Sequence, residues 1–412
     1  MSHSLVFRFA DADDVPAAAR MVAHSFPGPQ RPPEWWETQL RTPHWGGGAE
    51  TLLIGADSGR MVAALQAHPL RQWIAGVEFG CTGIGSVAIA PTHRRRGLGA
   101  ELMNAALRTG RERGDVVSAL YPFRTSFYRR LGYGIAGMAE QYRIAPAMLP
   151  DAPERERVEL IEAIAARTDA YALYRDWVSG QTGQLARTHA IFTQVTYGPD
   201  RALFGWRSES GALEGYAVVI YRTEPARYLD VDELVWTSDA ARRGLIGWLA
   251  SLGDQWPELV LRALPSHRMT DWITEPRLPH GSALPWRLWA PAATLLLGTM
   301  SRILDVPAAF AQRSLAGDEP LDIIFDVADA QIPENAGCWR ITNHDGASRV
   351  ERSATSQPTV RLDISTLSRL FIGALPASAA LAAGLLECDR PAVLPVLDRA
   401  LALPEPWTFD RF

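Results

Sequence analysis

The chain has 412 residues and contains no lysine, so all 41 of its basic side chains are arginines. It therefore carries no side-chain amine of its own. The net charge is −5, which leaves no overall positive field to attract nucleic acid or an anionic membrane. We expect neither of these as a partner, and a cationic substrate is more compatible with this charge.

Cysteine is also scarce. The three cysteines, Cys81, Cys338 and Cys388, lie far apart and fit neither a metal-ligand spacing nor a disulfide framework. We expect no metal site and ordinary buried thiols in a reducing cytoplasm. Long apolar runs are missing as well, since the most apolar windows, 292–297 and 372–386, are too short or too broken to span a bilayer. The first residues do not resemble a signal peptide, so we expect a cytoplasmic protein.

The stretch 85–99 reads GSVAIAPTHRRRGLG and predicts a phosphate-binding turn. A short apolar strand, 87–89, is stopped by Pro91, and a basic turn then opens a helix at Leu98. Gly97 and Gly99 let the backbone approach a ligand closely, while the first amides of the helix point outward without partners. Those amides, the helix dipole and the guanidinium groups of the turn are together suited to a pyrophosphate.

The RRRGLG sequence of residues 94–99 fits the pattern R/Q-x-x-G-x-G/A and resembles the acetyl-coenzyme A site of the Gcn5-related N-acetyltransferases, the GNAT family. The match gains weight because the hexapeptide lies between a strand and a helix. The alternative is a solvated basic turn that caps an ordinary helix. A Rossmann fingerprint would need G-x-G-x-x-G and an acidic residue about 20 positions further on, and neither is present.

A second element follows, with the pattern F-Y-x-x-x-G-Y-G over residues 127–134. It predicts a short helix with Phe127 and Leu131 on its inner face that ends at Gly132. The pattern resembles the tyrosine segment of many acetyltransferases, in which a phenol lies beside the thioester sulfur and here matches Tyr128. A phenol with a pKa near 10 can protonate a departing thiolate at neutral pH. The alternative is a tyrosine used only for packing.

The remaining patterns of the first third predict an α/β unit. Its predicted elements are a strand at 4–9, a helix that begins at the acidic residues 11–14 and runs to about Ser25, a hairpin of strands 51–56 and 61–69, and a strand at 115–121. An irregular segment, 26–33, precedes Trp35 and Trp36, which we place on a loop. One interpretation is that they line an acceptor pocket, and the other is that they anchor the core.

The pattern restarts near Pro146. It predicts helical segments at 154–167 and 171–177, strands at 204–206, 213–221 and 228–235, and a helix at 240–252. The turn 237–244 lacks the full glycine pattern, so we expect a degenerate acetyltransferase-like domain that binds no coenzyme.

After Met300 the predicted elements are strands at 321–328, 338–342 and 359–364, a turn at Asp345-Gly346 and a helix capped by Ser365. The run 362–373 resembles sterol-carrier-like domains. A lipid pocket is one interpretation, and a domain for packing and oligomerisation is the other.

This order resembles the Eis family, named for enhanced intracellular survival. The resemblance implies an α/β (α+β) fold with tandem GNAT-like domains at 1–145 and 146–298 and a sterol-carrier-protein-like domain at 299–412. It also implies acetyl-coenzyme A as co-substrate, an amine as acceptor, no metal and a homohexamer. The coenzyme-binding residues that it implies are Val87, Ala88, Ile89, Arg94, Arg95, Arg96, Gly97, Leu98, Gly99, Ala100, Phe123 and Arg124. Tyr128 matches the general acid of the family, and the terminal carboxylate of Phe412 matches its general base.

A terminal carboxylate with a pKa near 3.5 is a weak base unless burial raises that pKa, although it can still orient the amine or relay its proton through water. The aromatic residues Trp407, Phe409 and Phe412 favour a docked terminus over a frayed one. Family members that acetylate aminoglycosides have acidic groups around the acceptor pocket, one of them just before the terminus, where this chain has Arg411. An arginine there opposes a polycation at short range.

Three hypotheses of function follow from these patterns. The first is an N-acetyltransferase of aminoglycosides or polyamines, and the second is a protein lysine acetyltransferase. The third is a lipid-binding or scaffolding protein with a vestigial acetyltransferase domain. The intact pairing of the arginine turn with Tyr128 is an argument against the third.

Overall fold

The structure is a computed structural model that describes residues 5–26, 31–42, 45, 47–162, 164–277, 292–317, 320–344, 347–354 and 357–412. The chain divides into two compact units. Unit 1 contains Met1–Ala136, Thr299–Pro406 and Asp410–Phe412, and unit 2 contains Gly137–Gly298 and Trp407–Phe409. The limits of the three domains given in the sequence analysis come from sequence patterns alone, and they remain predictions.

The helices and strands follow in chain order. Residues 1–136 form β1 (Val6–Phe9), α1 (Val15–Ala23), α2 (Pro33–Arg41), β2 (Leu52–Asp57), β3 (Arg60–Ile74), β4 (Val77–Ile89), α3 (Leu98–Glu112), β5 (Val117–Leu120), α4 (Thr125–Arg129) and β6 (Gly134–Ile135). Residues 137–298 form β7 (Met138–Ile144), β8 (Val158–Leu160), α5 (Ile164–Ser179), α6 (His189–Thr196), β9 (Arg201–Arg207), β10 (Leu213–Arg222), β11 (Tyr228–Trp236), α7 (Asp239–Ala250), β12 (Leu259–Ala263) and β13 (Thr294–Leu297). Residues 299–412 form β14 (Met300–Ile303), α8 (Val306–Gln312), β15 (Leu321–Ala328), β16 (Gly337–His344), β17 (Ala347–Arg352), β18 (Val360–Asp363), α9 (Ile364–Phe371), α10 (Ala377–Ala382), β19 (Leu386–Cys388) and α11 (Leu394–Ala400).

The first sheet of unit 1 has seven strands in the order β1-β2-β3-β4-β5-β14-β6. Strands β4 and β5 are parallel, as expected for strands joined through a crossover helix, and α3 is that helix. Leu98, Leu102 and Ala106 recur at helical spacing on α3 and are buried. Leu102 and Ala106 pack with Leu65 and Tyr128 in one core, so the helix that follows the predicted turn and the predicted tyrosine share that core.

Strand β14 joins this sheet although it lies more than 160 residues after its first neighbour β6 in the sequence. It pairs antiparallel with β5, from Met300 opposite Leu120 to Ile303 opposite Val117, and with β6 on its other side. Its Arg302 forms a fully buried bidentate ion pair with Asp329, with both N–O distances 2.7 Å. Removal of one partner from such a pair costs about 3–5 kcal/mol, because the other charge is left buried.

The second sheet of unit 1 has five strands in the order β17-β16-β15-β18-β19. Helix α9 carries a strongly apolar face, and its Leu367, Leu370 and Phe371 are buried. Unit 2 has one seven-stranded sheet in the order β13-β7-β12-β11-β10-β9-β8, with α7 as the crossover between the parallel strands β11 and β12.

Several predicted elements are wrong in detail. The strand 87–89 is the end of a 13-residue strand, β4, whose alternation is interrupted by glycines at 80, 83 and 85. Trp35 and Trp36 lie on helix α2 and not on a loop, because Pro33 fixes the backbone of its first turn. Residues 154–167 do not form one helix, since a 3₁₀ turn at Pro153–Arg157 and β8 precede α5. Asp363, and not Ser365, caps α9, accepting a hydrogen bond from the Thr366 amide.

Other predicted elements are confirmed. The strands predicted at 213–221, 228–235 and 321–328 and the helix predicted at 240–252 are present with nearly the same limits. The turn at Asp345-Gly346, residue 4 of the first strand and residues 27–30 of the irregular segment lie outside the described residues. In the part of the chain that the structure describes, no helix is both long and apolar enough to cross a bilayer.

Candidate active site

The predicted coenzyme strand lies where β4 and β5 separate. The two strands pair in parallel from Cys81 opposite Val117 to Ile84 opposite Leu120, where β5 ends. Strand β4 continues to Ile89, so that Val87, Ala88 and Ile89 follow the point of separation. In the described residues the β5 side of this segment has no strand partner, and an extended ligand can therefore pair along it.

A β-bulge marks the same point. Leu65 of β3 faces two residues of β4, Ser86 and Val87, and Ser86 has the left-handed φ of 52°. The Ser86 hydroxyl donates to Oε1 of Gln66 at 2.9 Å, which stabilises this backbone conformation. The bulge changes the direction of β4 next to the separation.

The three arginines of the turn have different environments. Arg94 donates to the carbonyl of Ser25 at 3.1 Å and Arg96 to that of Thr92 at 3.2 Å, so both stabilise the turn itself. Arg95 is exposed, has a φ of 61°, and makes no hydrogen bond or ion pair with any described residue. Its guanidinium group is therefore the one best suited to bind an anion from outside the chain.

The N-terminus of α3 has no side-chain cap. Gly97, the N-cap residue, has a φ of 87°, and the amide of Ala100 is the first to bond back, to the Gly97 carbonyl at 2.9 Å. By helix geometry the amides of Leu98 and Gly99 have no acceptor within the helix. A phosphate group fits such an N-terminus.

Glycine 99 also brings the turn next to the tyrosine segment, because a Cβ there would lie 3.3 Å from Cζ of Phe127. Tyr128 follows on α4 and is 2% exposed. Its ring lies edge-on to Phe127 at 5.0 Å and to Phe123 at 5.4 Å. Burial raises the pKa of Tyr128, so the phenol keeps its proton throughout the neutral range.

Helix α4 is shorter than predicted, because it ends at Arg129 and not at Gly132, so that Leu131 lies beyond it. Arg124 precedes the helix in an extended conformation, and its carbonyl accepts from the Phe127 amide at 3.1 Å. Gly132 has a φ of 82° just after the helix, and the Tyr133 amide donates back to the Tyr128 carbonyl at 3.1 Å. Phe123 is 72% exposed, which leaves its ring accessible to a ligand.

The last three residues, Asp410–Phe412, form the terminal tripeptide. The Tyr121 hydroxyl donates to the Asp410 carbonyl at 2.6 Å, and Nε1 of Trp45 donates to the Arg411 carbonyl at 3.2 Å. These two hydrogen bonds are called the clamp below. The Phe412 ring lies 5.8 Å from the Tyr121 ring. The clamp holds the end of the chain in a defined position in unit 1.

Phe412 rests on two glycines of β4. A Cβ at Gly83 would lie 3.0 Å from Cδ2 of Phe412, and a Cβ at Gly85 would lie 3.4 Å from the terminal carboxyl carbon. The same Cβ at Gly85 would lie 3.3 Å from Nε2 of His68, a buried residue of β3. The terminal carboxylate, the imidazole and β4 thus meet at Gly85.

Comparison with known proteins gives the family. Two family profiles described as acetyltransferase (GNAT) domain match residues 6–136 and 183–303, and one described as sterol carrier protein domain matches residues 306–409. The N-acetyltransferase Eis of Mycobacterium tuberculosis is 27% identical, with 96% of each chain covered. The chain is an Eis-like N-acetyltransferase of the GNAT family.

Further relatives agree with this assignment. A protein of Streptomyces avermitilis named uncharacterized N-acetyltransferase is 28% identical to this Eis-like enzyme, with 87% of this chain and 88% of the relative covered. The crystal structure of a GCN5-related N-acetyltransferase from Anabaena variabilis has the same fold, with a TM-score of 0.85 at 19% identity and with 99% of this chain and 100% of that chain covered. The predicted order of two GNAT domains and a sterol-carrier-like domain is confirmed. GNAT acetyltransferases use acetyl-coenzyme A as co-substrate.

The aromatic residues near the end of the Eis-like chain, from which we expect a docked terminus, belong to two different units. Trp407 and Phe409 belong to unit 2, where the Trp407 amide donates to the Thr182 carbonyl at 3.0 Å and Phe409 stacks on Trp177 at 5.7 Å. Phe412 belongs to unit 1. The last six residues are therefore divided between the two units.

The predicted acceptor residues of the Eis-like enzyme differ in exposure. Trp36 packs against the core around Val15, whereas Trp35 is 37% exposed and lies edge-on to Trp36 at 5.0 Å. The Arg31 guanidinium lies 5.2 Å from the centre of the Trp35 ring. Trp36 therefore fits the interpretation as a core anchor. Trp35 fits the interpretation as part of an acceptor pocket, because a ligand can reach its ring. Arg411 is exposed and directly precedes Phe412, the residue that bears the terminal carboxylate.

Helix α7 of unit 2 lacks the open N-terminus of α3. The Ser238 hydroxyl caps it by accepting from the Ala241 amide at 3.2 Å, and the Arg242 guanidinium lies over the Trp272 ring at 4.7 Å. Arg262 donates to Oδ1 of Asp230 at 2.7 Å beside the short parallel pairing of β11 and β12. These contacts are compatible with the prediction that this GNAT domain binds no coenzyme, which stays a prediction.

Sequence reasoning missed the residues that surround the end of the chain. One signal was present, since Gly83 and Gly85 recur at strand spacing and indicate close approach of another segment. Trp45, His68 and Tyr121 carry no motif, because their partners lie hundreds of residues away. Among the described residues, no group of three or more histidine, cysteine and acidic side chains is placed to hold a metal ion.

Proposed function

We propose that this enzyme transfers the acetyl group of acetyl-coenzyme A directly to an amine of a small acceptor of the aminoglycoside or polyamine type. Tyr128 acts as general acid and the terminal carboxylate of Phe412 as general base. The proposal rests on one observation. The clamped carboxylate lies against Gly85 of β4, the strand that also carries the predicted coenzyme residues Val87–Ile89.

The residues of the chain fit the coenzyme. The amides of Leu98 and Gly99 and the guanidinium of Arg95 are suited to its pyrophosphate, and the β5 side of Val87–Ile89 is suited to its extended arm. The exposed ring of Phe123 offers a further contact. When bound, acetyl-coenzyme A supplies the acetyl thioester, and the chain supplies binding, orientation and two proton transfers.

The two proposed proton transfers suit the two groups. The acceptor amine is an ammonium ion at neutral pH and must lose a proton before it can attack, and the Phe412 carboxylate is placed to orient it and take that proton. The Tyr128 phenol is buried and protonated, so it can give its proton to the departing thiolate. Each transfer is expected to contribute about 10²–10⁴ in rate.

The test measures thiol release from acetyl-coenzyme A with a panel of aminoglycosides, polyamines and lysine peptides, using protein with a free C-terminus. A variant extended by one glycine after Phe412 keeps the ring but converts its carboxylate into an amide. We expect turnover with a small polyamine or aminoglycoside, and a decrease in kcat of about 100-fold in the extended variant. Full activity of the extended variant would remove the terminal carboxylate from the mechanism.

The same panel separates the alternatives. Turnover with lysine peptides alone would support the protein lysine acetyltransferase. Silence with every acceptor, with coenzyme binding confirmed by calorimetry, would remove the small-molecule assignment and favour the scaffolding protein.

The homohexamer also remains a proposal. Unit 2 ends in an edge strand, β13, on which Leu295 and Leu297 are 60% and 51% exposed, and Met138 on the neighbouring strand is 43% exposed opposite Leu297. Such an apolar group on a sheet edge supports association between copies. Light scattering of the full chain tests it, since a monomeric mass would contradict the proposal.

A further inference from the structure

The buried histidine beside the end of the chain has no role in the mechanism so far. His68 lies on β3 opposite Gly83, is 3% exposed, and points Nε2 toward the space above Gly85. A Cβ placed at Gly85 would be 3.3 Å from that nitrogen and 3.4 Å and 3.5 Å from the carboxyl carbon and oxygen of Phe412. Imidazole and carboxylate therefore flank the same point of the sheet.

The absence of a side chain at Gly85 makes this arrangement possible. Its backbone φ is not in the left-handed region, so the residue is not a glycine for conformational reasons. A Cβ there would stand slightly too close to the imidazole nitrogen and in ordinary contact with the carboxyl group. The imidazole nitrogen and the carboxyl group therefore both lie within contact distance of the position that a side chain at residue 85 would take.

A terminal carboxylate is a weak base, and an imidazole beside it can hold a proton more strongly. A terminal carboxyl has a pKa near 3.5, so a proton taken from an alkylammonium ion is held poorly. An imidazole has a pKa near 6.5, and its protonated form is stabilised by an adjacent carboxylate. The pair can hold the proton better than the carboxylate alone.

We propose that His68 is a positioning residue that pairs with the Phe412 carboxylate and receives the proton of the acceptor amine through it. The inference rests on the proposed function of the terminal carboxylate. In the reaction the acceptor N–H proton moves to a carboxylate oxygen and on to Nε2 of His68. The new N–C bond then forms as the C–S bond breaks, and the acylated nitrogen releases its second proton to solvent. Tyr128 protonates the thiolate sulfur, and solvent later removes the proton from His68 and restores that of Tyr128.

The test is a double-variant cycle between His68→Gln and the glycine-extended chain, with spermidine as acceptor. Glutamine keeps a hydrogen-bonding amide near the carboxylate but cannot take a proton. We expect His68→Gln to lower kcat about 100-fold with little change in KM, and the double variant to be no slower than the slower single variant, because the two groups act as one unit. His267→Gln makes the same chemical change in unit 2 and should leave kcat unchanged.

A second measurement separates proton transfer from packing. A difluorinated polyamine analogue, with two fluorines on the carbon next to the amine-bearing carbon, has an amine pKa lowered to near neutral, so in an assay at about pH 8.5 this amine is mostly uncharged whereas that of spermidine is still charged. We expect the loss caused by His68→Gln to shrink to a few-fold with this acceptor, whereas a purely structural defect would slow both acceptors equally.

The outcomes distinguish the two proposals. If the extended chain is slow but His68→Gln retains wild-type kcat, or if the two effects multiply, the role of His68 is refuted and the terminal carboxylate stands alone. If the extended chain is fully active, the proposed base fails, whatever His68→Gln does. Equal losses with the neutral and the charged acceptor would reduce His68 to a packing residue and overturn the inference.

Discussion

The Tyr121 hydroxyl donates a hydrogen bond of 2.6 Å to the main-chain carbonyl of Asp410, two residues before the end of the chain. Tyr121 comes directly after β5 and Asp410 begins the terminal tripeptide, so one side chain of the first GNAT sheet holds the segment that bears the proposed base. The partner is a backbone carbonyl, and therefore the contact does not depend on the identity of residue 410.

Loss of this hydrogen bond tests whether the clamp matters for catalysis. Tyr121→Phe removes the hydroxyl and keeps the ring beside Phe412. We expect kcat to fall about 10-fold, which corresponds to about 1.4 kcal/mol, the size of a typical hydrogen-bond contribution, with an unchanged KM for acetyl-coenzyme A. Tyr142→Phe in unit 2 removes a phenol that donates to Glu140 and serves as the matched control. Equal kcat values for the wild type and Tyr121→Phe would show that the clamp is not required.

The buried phenol of Tyr128 gives a prediction about pH. Because burial raises its pKa, the group stays protonated at least up to its ordinary value, so no loss of kcat from its ionisation is expected below about pH 10. The free energy of unfolding should depend on pH in the same direction. Folding favours the neutral phenol, so the fold loses stability as the pH rises above about 10. Tyr128→Phe should lower kcat about 100-fold at every pH below that value.

The control for Tyr128 is its neighbour. Tyr133→Phe removes a buried hydroxyl that pairs with Oγ of Ser118 at 2.7 Å, which should lower the melting temperature but leave most of kcat. A pH profile in which the activity of the wild type declines near pH 8 would contradict the role of Tyr128 as a group that keeps its proton.

Arg95 is predicted to bind coenzyme without stabilising the fold. Arg95→Ala should raise the KM for acetyl-coenzyme A about 10-fold, leave kcat nearly unchanged and leave the melting temperature unchanged, since the side chain contacts no described residue. Arg108→Ala removes an exposed arginine from the same helix region and should change neither quantity. Arg94→Ala, in contrast, should lower the melting temperature, because Arg94 bonds to the Ser25 carbonyl. The prediction fails if Arg95→Ala and Arg108→Ala give the same KM.

The charge of Arg411 is predicted to limit the use of polycations. Arg411→Glu keeps the main-chain carbonyl that Trp45 binds and reverses the charge beside the carboxylate. We expect kcat/KM for a polyamine to rise about 10-fold at low ionic strength and the gain to decrease with added salt. A monoamine should gain less. A decrease for the polyamine, at every salt concentration, would show that the acceptor binds elsewhere.

The local parts of the site could be predicted from the sequence. The turn at residues 94–99, the start of α3 and the helix that carries Tyr128 are each built from neighbouring residues, and Gly97 and Gly132 stand at two of the positions of positive φ. Their motifs are therefore contiguous and visible. Helix α9 was also found from its apolar spacing, and only its cap was misplaced by two residues.

The parts that bring distant segments together could not be predicted. Nothing near Trp45 indicates that its indole binds the carbonyl of residue 411, because a backbone carbonyl has no sequence signature. The length of β4 was underestimated because glycines break its alternation, and the same glycines make room for Phe412. The features that hide the strand from a pattern search are thus the ones that receive the end of the chain.

The position of β14 between β5 and β6 has a consequence for biosynthesis. A ribosome that has synthesised the first 136 residues has released six of the seven strands of the first sheet, and β6 then has no neighbour to pair with. The sheet is complete only after residue 303 has emerged. In this protein, completion of the N-terminal sheet therefore waits for translation of a strand that lies more than 160 residues further along the chain.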